Sequence, residues 1–179
     1  MDREIILMNI SGQDKPGLTS SLTSVLAEYG AKVLDIGQAN IHDTLSLGIM
    51  FEINSGEKSS SVLKDLLFKS YELGIQAEFT PISLEDYEKW VTLQGKDRYI
   101  ITILGEKLEA KQISEVTKVI SEKNLNIDAI KRLTGRLSLV KKEEYPRASI
   151  QLSIRGKIDC KVDLTEKFMK ISQDLDVDI

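Results

Sequence analysis

The segment "SLTSVLAEYGAKVLDI", Ser21 to Ile36, has a second version in "EVTKVISEKNLNIDAI", Glu115 to Ile130. Laid end to end, the two put Val25 over Val119, Leu26 over Ile120, Val33 over Ile127 and Ile36 over Ile130, a constant displacement of 119 − 25 = 94. Residue identity is mostly lost while the apolar pattern persists, as expected if each copy must build the same core. The displacement extends outward without a gap, carrying Leu7 to Ile101, Ile10 to Leu104 and Leu22 to Val116. Two similar domains are the economical reading.

Within the first copy, "EIILMNI" (Glu4 to Ile10) is a short apolar run suited to a central strand, and Leu18, Leu22, Val25 and Leu26 mark one helical face. Gly30 closes that helix as a left-handed cap can. "KVLDIGQANI" reads as a second strand, "HDT" as a turn with His42 in it, and "LSLGIMFEI" as a third strand in which Leu47, Ile49, Phe51 and Ile53 alternate. Val62, Leu63, Leu66, Leu67 and Leu73 line a second helix ending at Gly74, and "IQAEFTPI" supplies a fourth strand. The order is βαββαβ, which places two helices on one face of an antiparallel sheet. The second copy repeats it, with its second helix displaced by 168 − 66 = 102, so that eight residues (102 − 94) are inserted. The polar stretch Ser138 to Pro146 is where an extended hairpin loop is expected. By the same displacement Val177 and Ile179 match Ile75 and Ala77, so the last strand of the second copy reads as truncated and the chain as the N-terminal piece of a longer protein. A short helix with Tyr87, Trp90 and Val91 on one side is expected to link the copies.

The 179 residues are 41% hydrophobic and 29% charged, the composition of a folded globular chain. Acids exceed bases by 28 to 24 and the bases are scattered, so no basic stripe is available for nucleic acid. Cys160 is the only cysteine, which suits a reducing compartment, and no apolar run approaches the roughly 18 residues of a spanning helix. A cytoplasmic location with no membrane partner is the expectation.

The loop "SGQDKPG", Ser11 to Gly17, stands before the first helix. Pro16 fits a first helical turn and Gly17 permits close approach to the backbone, so the amide hydrogens around Gly17, Leu18 and Thr19 offer a mouth for an anion. Asp14 would repel a phosphate yet could pair with an ammonium, and a free amino acid satisfies both ends. The alternative is that Asp14 caps the helix. The second copy has Leu108, Ala110 and Lys111 where the first has Asp14, Pro16 and Gly17, so the fold does not require those residues.

Asp14-Lys15-Pro16-Gly17-Leu18 at the first strand-to-helix junction resembles the ligand loop of ACT domains, regulatory modules that bind amino acids. The run "VLDIGQANIHDTLSLGI", Val33 to Ile49, and the tandem arrangement are similar to the N-terminal ACT pair of bacterial phosphoserine phosphatases. The resemblance implies an α+β fold of two tandem βαββαβ ferredoxin-like ACT domains, over residues 1–83 and 97–179, joined by a helical linker over 84–96. It also implies that L-serine or a related amino acid binds at an interface between ACT units, with Gln13, Asp14, Gly17 and Leu18 in the loop and Asp35 and Gln38 as a neighbouring unit's contribution. A homodimer through ACT sheets or helices, and a C-terminal phosphatase domain that carries the magnesium, complete what is implied. The second domain departs from the loop motif, which speaks against an equivalent second site.

No cofactor, metal site or catalytic group is expected within these residues. "DLDVDI", Asp174 to Ile179, looks superficially like the D-x-D nucleophile motif of haloacid-dehalogenase-type phosphatases, but a helical "KISQ" precedes it and no later Lys or Asp completes a magnesium site. A solvated helix end is the plainer reading. His42 is the only histidine, which leaves no paired-histidine metal site or further triad to draw. The second functional reading is a stand-alone tandem ACT regulator of glycine or serine metabolism that works through protein contacts. A third, a small acyl-phosphate hydrolase on the same framework, would want a cationic phosphate cradle, and Ser11 to Leu18 holds only Lys15.

Overall fold

The computed structural model describes residues 3–54, 57–94, 97–135, 147–158 and 161–179. The expected loop at Ser138 to Pro146 and the surroundings of Cys160 lie outside the described residues. The chain divides into two compact units, Met1–Val91 and Thr92–Ile179.

The first unit runs β1 (Arg3–Gln13), α1 (Leu18–Glu28), β2 (Lys32–Ile41), β3 (Thr44–Asn54), α2 (Glu57–Leu73), β4 (Gln76–Ile82). Its antiparallel sheet has the order β2-β3-β1-β4. The register sets Ile6 opposite Phe51, Met8 opposite Ile49 and Ile10 opposite Leu47. Cross-strand partners share a face, so these side chains form one apolar surface. Leu18, Leu22, Val25 and Leu26 of α1 and Val62 and Leu66 of α2 close over it in a single buried cluster. Both helices therefore lie on one face, as the alternation of Leu47, Ile49, Phe51 and Ile53 requires. Tyr29, just after α1, donates a 2.5 Å hydrogen bond to Asp65 of α2. After β4 comes the helix α3 (Leu84–Gln94), most of which falls within the first unit; it buries no residue and carries Tyr87 and Trp90 with ring centroids 5.9 Å apart.

The second unit runs β5 (Arg98–Gly105), α4 (Ala110–Glu122), β6 (Asn126–Arg132), β7 (Ala148–Arg155), α5 (Lys161–Leu175), with sheet order β5-β7-β6. Its core joins Ile101, Ile103, Leu152 and Ile154 to Val116, Ile120, Phe168 and Ile171. The expected fourth strand shrinks to a single bridge in which Leu104 and Asp178 exchange two 2.8 Å backbone hydrogen bonds.

The duplication reaches details that apolar patterning does not record. Each unit's edge strand carries a register irregularity at the same place, Val33/Asp35 in β2 and Ile127/Ala129 in β6, again 127 − 33 = 94 apart. Gly30 and Gly74 take left-handed backbone after the helices of the first unit (φ 65° and 69°). In the second unit Asn124 and Asp176 occupy the matching positions with φ 54° and 51°. Asn and Asp tolerate that conformation better than other side chains do, so the cap survives the loss of glycine.

In the second unit α4 and α5 are joined at the surface by ion pairs, Lys123 with Asp163 and Lys167 with Glu122, the latter at 3.0 Å. Hydrogen bonding to the lysines, the largest influence on each, holds the carboxyls of Glu122 and Asp163 below their ordinary values of 4.5 and 3.8. A carboxyl depressed in the folded state adds stability above its unfolded value and loses it as pH falls through the folded one. Thermal melts of the second unit below about pH 4.5 should therefore decline more steeply than those of a Lys123→Ala/Lys167→Ala variant. Parallel curves would mean that these pairs add nothing.

Candidate functional site

The loop between β1 and α1 is tied to the β2–β3 hairpin. The Asp14 main-chain N–H donates to the Asp43 carbonyl at 2.7 Å. The Asn40 side-chain amide donates to Asp14 Oδ2 at 2.5 Å. The hairpin tip that receives the loop turns through His42, whose φ of 60° is left-handed, and the His42 ring is hydrogen-bonded to the Asp43 carboxylate. That contact, the largest cause, holds the Asp43 carboxyl below its ordinary value. Lys15 reaches the other way: its Nζ lies 4.0 Å from where a Cβ on Gly74 would stand, over the last turn of α2. Gly12 is fixed by space, since a Cβ there would be 2.8 Å from Ile75 Cγ2.

Helix α1 starts from Gly17 at φ 90° and ψ −4°, with no side chain bonded as a cap. Asp14 is therefore not the helix cap; its carboxylate is held by Asn40 instead. Gly17 accepts from the Ser21 N–H at 2.9 Å, closing the first turn, and the Leu18 N–H stands 3.5 Å from the Lys15 carbonyl, at the limit of a hydrogen bond. Thr19 donates its hydroxyl to Gln38 Oε1 at 3.0 Å, which sets β2 beside the helix mouth. Gln13 pairs with Thr44 at the end of β1.

Gln13, Asp14, Gly17, Leu18 and Gln38 are thus gathered around one helix end. Asp35 is not with them. It pairs with Met50, on the face away from the helices, whereas Gln38 pairs with Leu47 on the helix face. The Asp35 carboxylate accepts from the neighbouring Ile36 N–H at 2.9 Å. Asn40 joins the site although patterning did not single it out, and Thr19, expected there for its amide hydrogen, brings its hydroxyl as well. Asn40 had a usable signal: two residues beyond Gln38 on a strand, it shares that face.

The corresponding helix of the second unit is closed. Glu109 caps α4 with its side chain on the backbone N–H of Gln112, and the Gln112 side chain accepts from the Glu109 N–H at 2.8 Å. This reciprocal box occupies the N-cap and third-position amide hydrogens of α4, whose counterparts in α1, at Gly17 and Ser20, have no side-chain cap.

Family models described as ACT domains match residues 4–80 and 98–179. The chain is a tandem pair of ACT domains. Among curated relatives, phosphoserine phosphatase SerB2 of Mycobacterium tuberculosis is 23% identical over 174 residues, covering 97% of this chain and 39% of that protein. The phosphoserine phosphatase of Streptomyces coelicolor is 26% identical over 155 residues, covering 87% of this chain and 34% of that one. The chain thus spans between a third and two-fifths of those relatives' length. A solved structure of a candidate glycine cleavage system transcriptional repressor superposes with a TM-score of 0.67 at 14% identity, covering 99% of this chain and 95% of that one. At that identity the likeness speaks for the fold.

The acids of "DLDVDI" are spread over three settings: Asp174 within α5, Asp176 in the left-handed turn after it, and Asp178 in the bridge to Leu104, with its carboxylate 3.1 Å from Arg147. Among the described residues no group of three or more His, Cys, Asp and Glu is placed to hold a metal ion, and no helix is long and apolar enough to cross a membrane.

Proposed function

We propose that the first ACT unit, residues 1–83, binds a free amino acid, L-serine or a close relative, and that the pair serves as the regulatory region of a cytoplasmic phosphoserine phosphatase. The observation that carries this is the contrast between two copies of one helix start: α1 opens on Gly17 without a side-chain cap, while α4 is closed by Glu109 and Gln112. The amide hydrogens at Gly17 and Leu18 receive the ligand's carboxylate, favoured there by the helix dipole. Asp14, oriented by Asn40, receives the ammonium, and Gln13 and Gln38 flank the two. Asp35 lies on the other face of the sheet, so it contributes only from a neighbouring copy in a homodimer. The second unit, residues 97–179 beyond the linker 84–96, shapes the response and binds no equivalent ligand.

The ligand regulates by its difference in affinity for two states of the assembly, and shifts activity in a C-terminal magnesium-dependent phosphatase domain by no more than that difference. The relatives' identity supports this parent. Calorimetry of the chain against L-serine, D-serine, glycine and L-alanine tests the ligand: binding of one of them in the wild type, weakened at least about tenfold in Asp14→Ala, is the expected result. No heat with any of them would end the amino-acid reading. Reading the gene beyond codon 179 tests the parent, because a D-x-D-x-T motif within a few dozen codons is expected and an immediate stop would favour an independent regulator.

A further inference from the structure

Helices α1 and α4 end alike and start differently. Their last residues, Glu28 and Glu122, are 94 apart, but α4 starts at Ala110, whose counterpart is Pro16 (110 − 94 = 16), and α1 starts only at Leu18. The residues just ahead of α1 are nonetheless suited to a helix start. Glu109, which precedes Ala110, has the extended backbone of a cap residue, with φ −98° and ψ 165°. Lys15 is its counterpart, and a residue before proline is pushed toward that same extended region. Pro16 then falls at the first helical position, where its fixed φ suits the helix and its missing N–H costs nothing. Gly17 alone departs: at φ 90° and ψ −4° it takes the chain off the helical path. Among the described residues no acceptor meets the N–H of Thr19 or Ser20. In a helix started at Pro16 those hydrogens would reach the carbonyls of Lys15 and Pro16.

We propose that the start of α1 is a two-state element. In the form described above Gly17 is left-handed and the first half-turn is unwound; in the other Gly17 is right-handed and α1 begins at Pro16, as α4 begins at Ala110. Glycine is the residue to which both conformations are open. Winding in two residues advances the helix end by about 3 Å and returns the Thr19 and Ser20 hydrogens to the chain's own carbonyls. On the reading that this mouth receives the carboxylate of an amino acid, the ligand binds the unwound form and the wound form excludes it. Binding therefore shifts the equilibrium by the difference in affinity for the two.

The second unit has settled on the wound start, which the reciprocal box of Glu109 and Gln112 holds in place. Lys15 has no acceptor to offer as a cap, so the wound form of α1 lacks that support. The unwound form is instead tied to the β2–β3 hairpin, by Asp14 N–H to the Asp43 carbonyl and by Asn40 to the Asp14 carboxylate. Winding draws Lys15 and Asp14 toward the helix axis and works against both ties. Ligand and hairpin thus favour the same state, and the helix start is the element through which occupancy of the site reaches the hairpin.

Two substitutions that add the same Cβ separate this device from crowding, since a Cβ on Gly17 meets nothing within 4 Å. Alanine favours the helical conformation, whereas asparagine tolerates the left-handed one, as Asn124 does at φ 54°. In nuclear magnetic resonance spectra recorded without ligand, Gly17→Ala should give residues 16–18 helical Cα shifts and let the Asp14 amide exchange at least about tenfold faster. Gly17→Asn should leave both as in the wild type. The ligand-free wild type should show microsecond-to-millisecond exchange at Thr19 and Ser20 toward the shifts of the Gly17→Ala variant. In calorimetry, affinity for the amino acid that the wild type binds should fall at least about tenfold in Gly17→Ala and no more than about threefold in Gly17→Asn. Unwound residues 16–18 in Gly17→Ala, a wild type without that exchange, or equal losses of affinity in the two variants would overturn the proposal. The spectra need no ligand, so a failure to bind any amino acid would end the reading of the site while the two forms are still judged by the shifts.

Discussion

Phe51→Ala should lower the stability of the first ACT unit by about 3–5 kcal/mol, the range for removing a large aromatic from a well-packed core. Phe51 is 0% exposed and sits on β3, an interior strand paired on both sides, with Ile6 opposite it on β1 and Val33 on β2. Neither helix of that unit can collapse into the vacated volume without breaking its register with the other, so relaxation is partial and the cavity persists. The loss approaches the whole stability of a small domain, and the expected outcome is partial unfolding at room temperature. Amide exchange measured by mass spectrometry checks it: protection should fall in β1, β3 and α1, while Ile103 and Leu152, in the separate core of the second unit, should keep theirs. A drop of less than about 1 kcal/mol would mean that this core is loosely packed.

The parts of the fold legible beforehand are those in which burial writes a period into the sequence. The alternation of Leu47, Ile49, Phe51 and Ile53 appears as buried residues on one face of β3, and the displacement of 94 locates β5 and α4 from β1 and α1. Periodicity is silent where side chains are exposed. Every residue of β2 except Leu34 is exposed, so its edge position and its bulge left no pattern. Glycine marks the ends of α1 and α2, at Gly30 and Gly74, but the start of α4 carries no such mark. Helix α4 begins at Ala110, which the repeat aligns with Pro16, two residues ahead of the Leu18 that starts α1, because Glu109 and Gln112 supply a cap that the first copy lacks.

At the candidate site, the D-x-P-G loop could be read as an anion mouth because Gly17 and Pro16 have few other uses at that place. The contacts that position it could not. The bonds from Asn40 to Asp14 and from Thr19 to Gln38 span 26 and 19 residues, and depend on how β2 folds back beside α1. Asp35 and Gln38, three apart on β2, point to opposite faces of the sheet.

Gly17→Val should weaken amino-acid binding by at least about 100-fold while the sheet of the first unit stays folded. The valine side chain does not act by crowding the helix mouth. A Cβ on Gly17 would meet nothing within 4 Å, so the space is open; the conflict lies in φ 90°, a conformation that L residues adopt at a penalty of about 1–2 kcal/mol and β-branched ones resist further. The backbone on either side is anchored, by Asp14 N–H to Asp43 before it and by Ser21 N–H to Gly17 after it, so the strain must be relieved between those anchors. That interval contains the Gly17 and Leu18 amide hydrogens assigned to the carboxylate in the proposed site. A rotation there removes directional hydrogen bonds altogether, which is why binding should suffer more than stability. Gly17→Ala, with the same dihedral conflict and no branch, should fall between wild type and valine. Calorimetry with the amino acid that the wild type binds, beside a thermal melt of each variant, separates the two effects. Full-strength binding by Gly17→Val would remove the loop from the site, and a melt lowered as far as that of Phe51→Ala would show that Gly17 serves the fold before it serves a ligand.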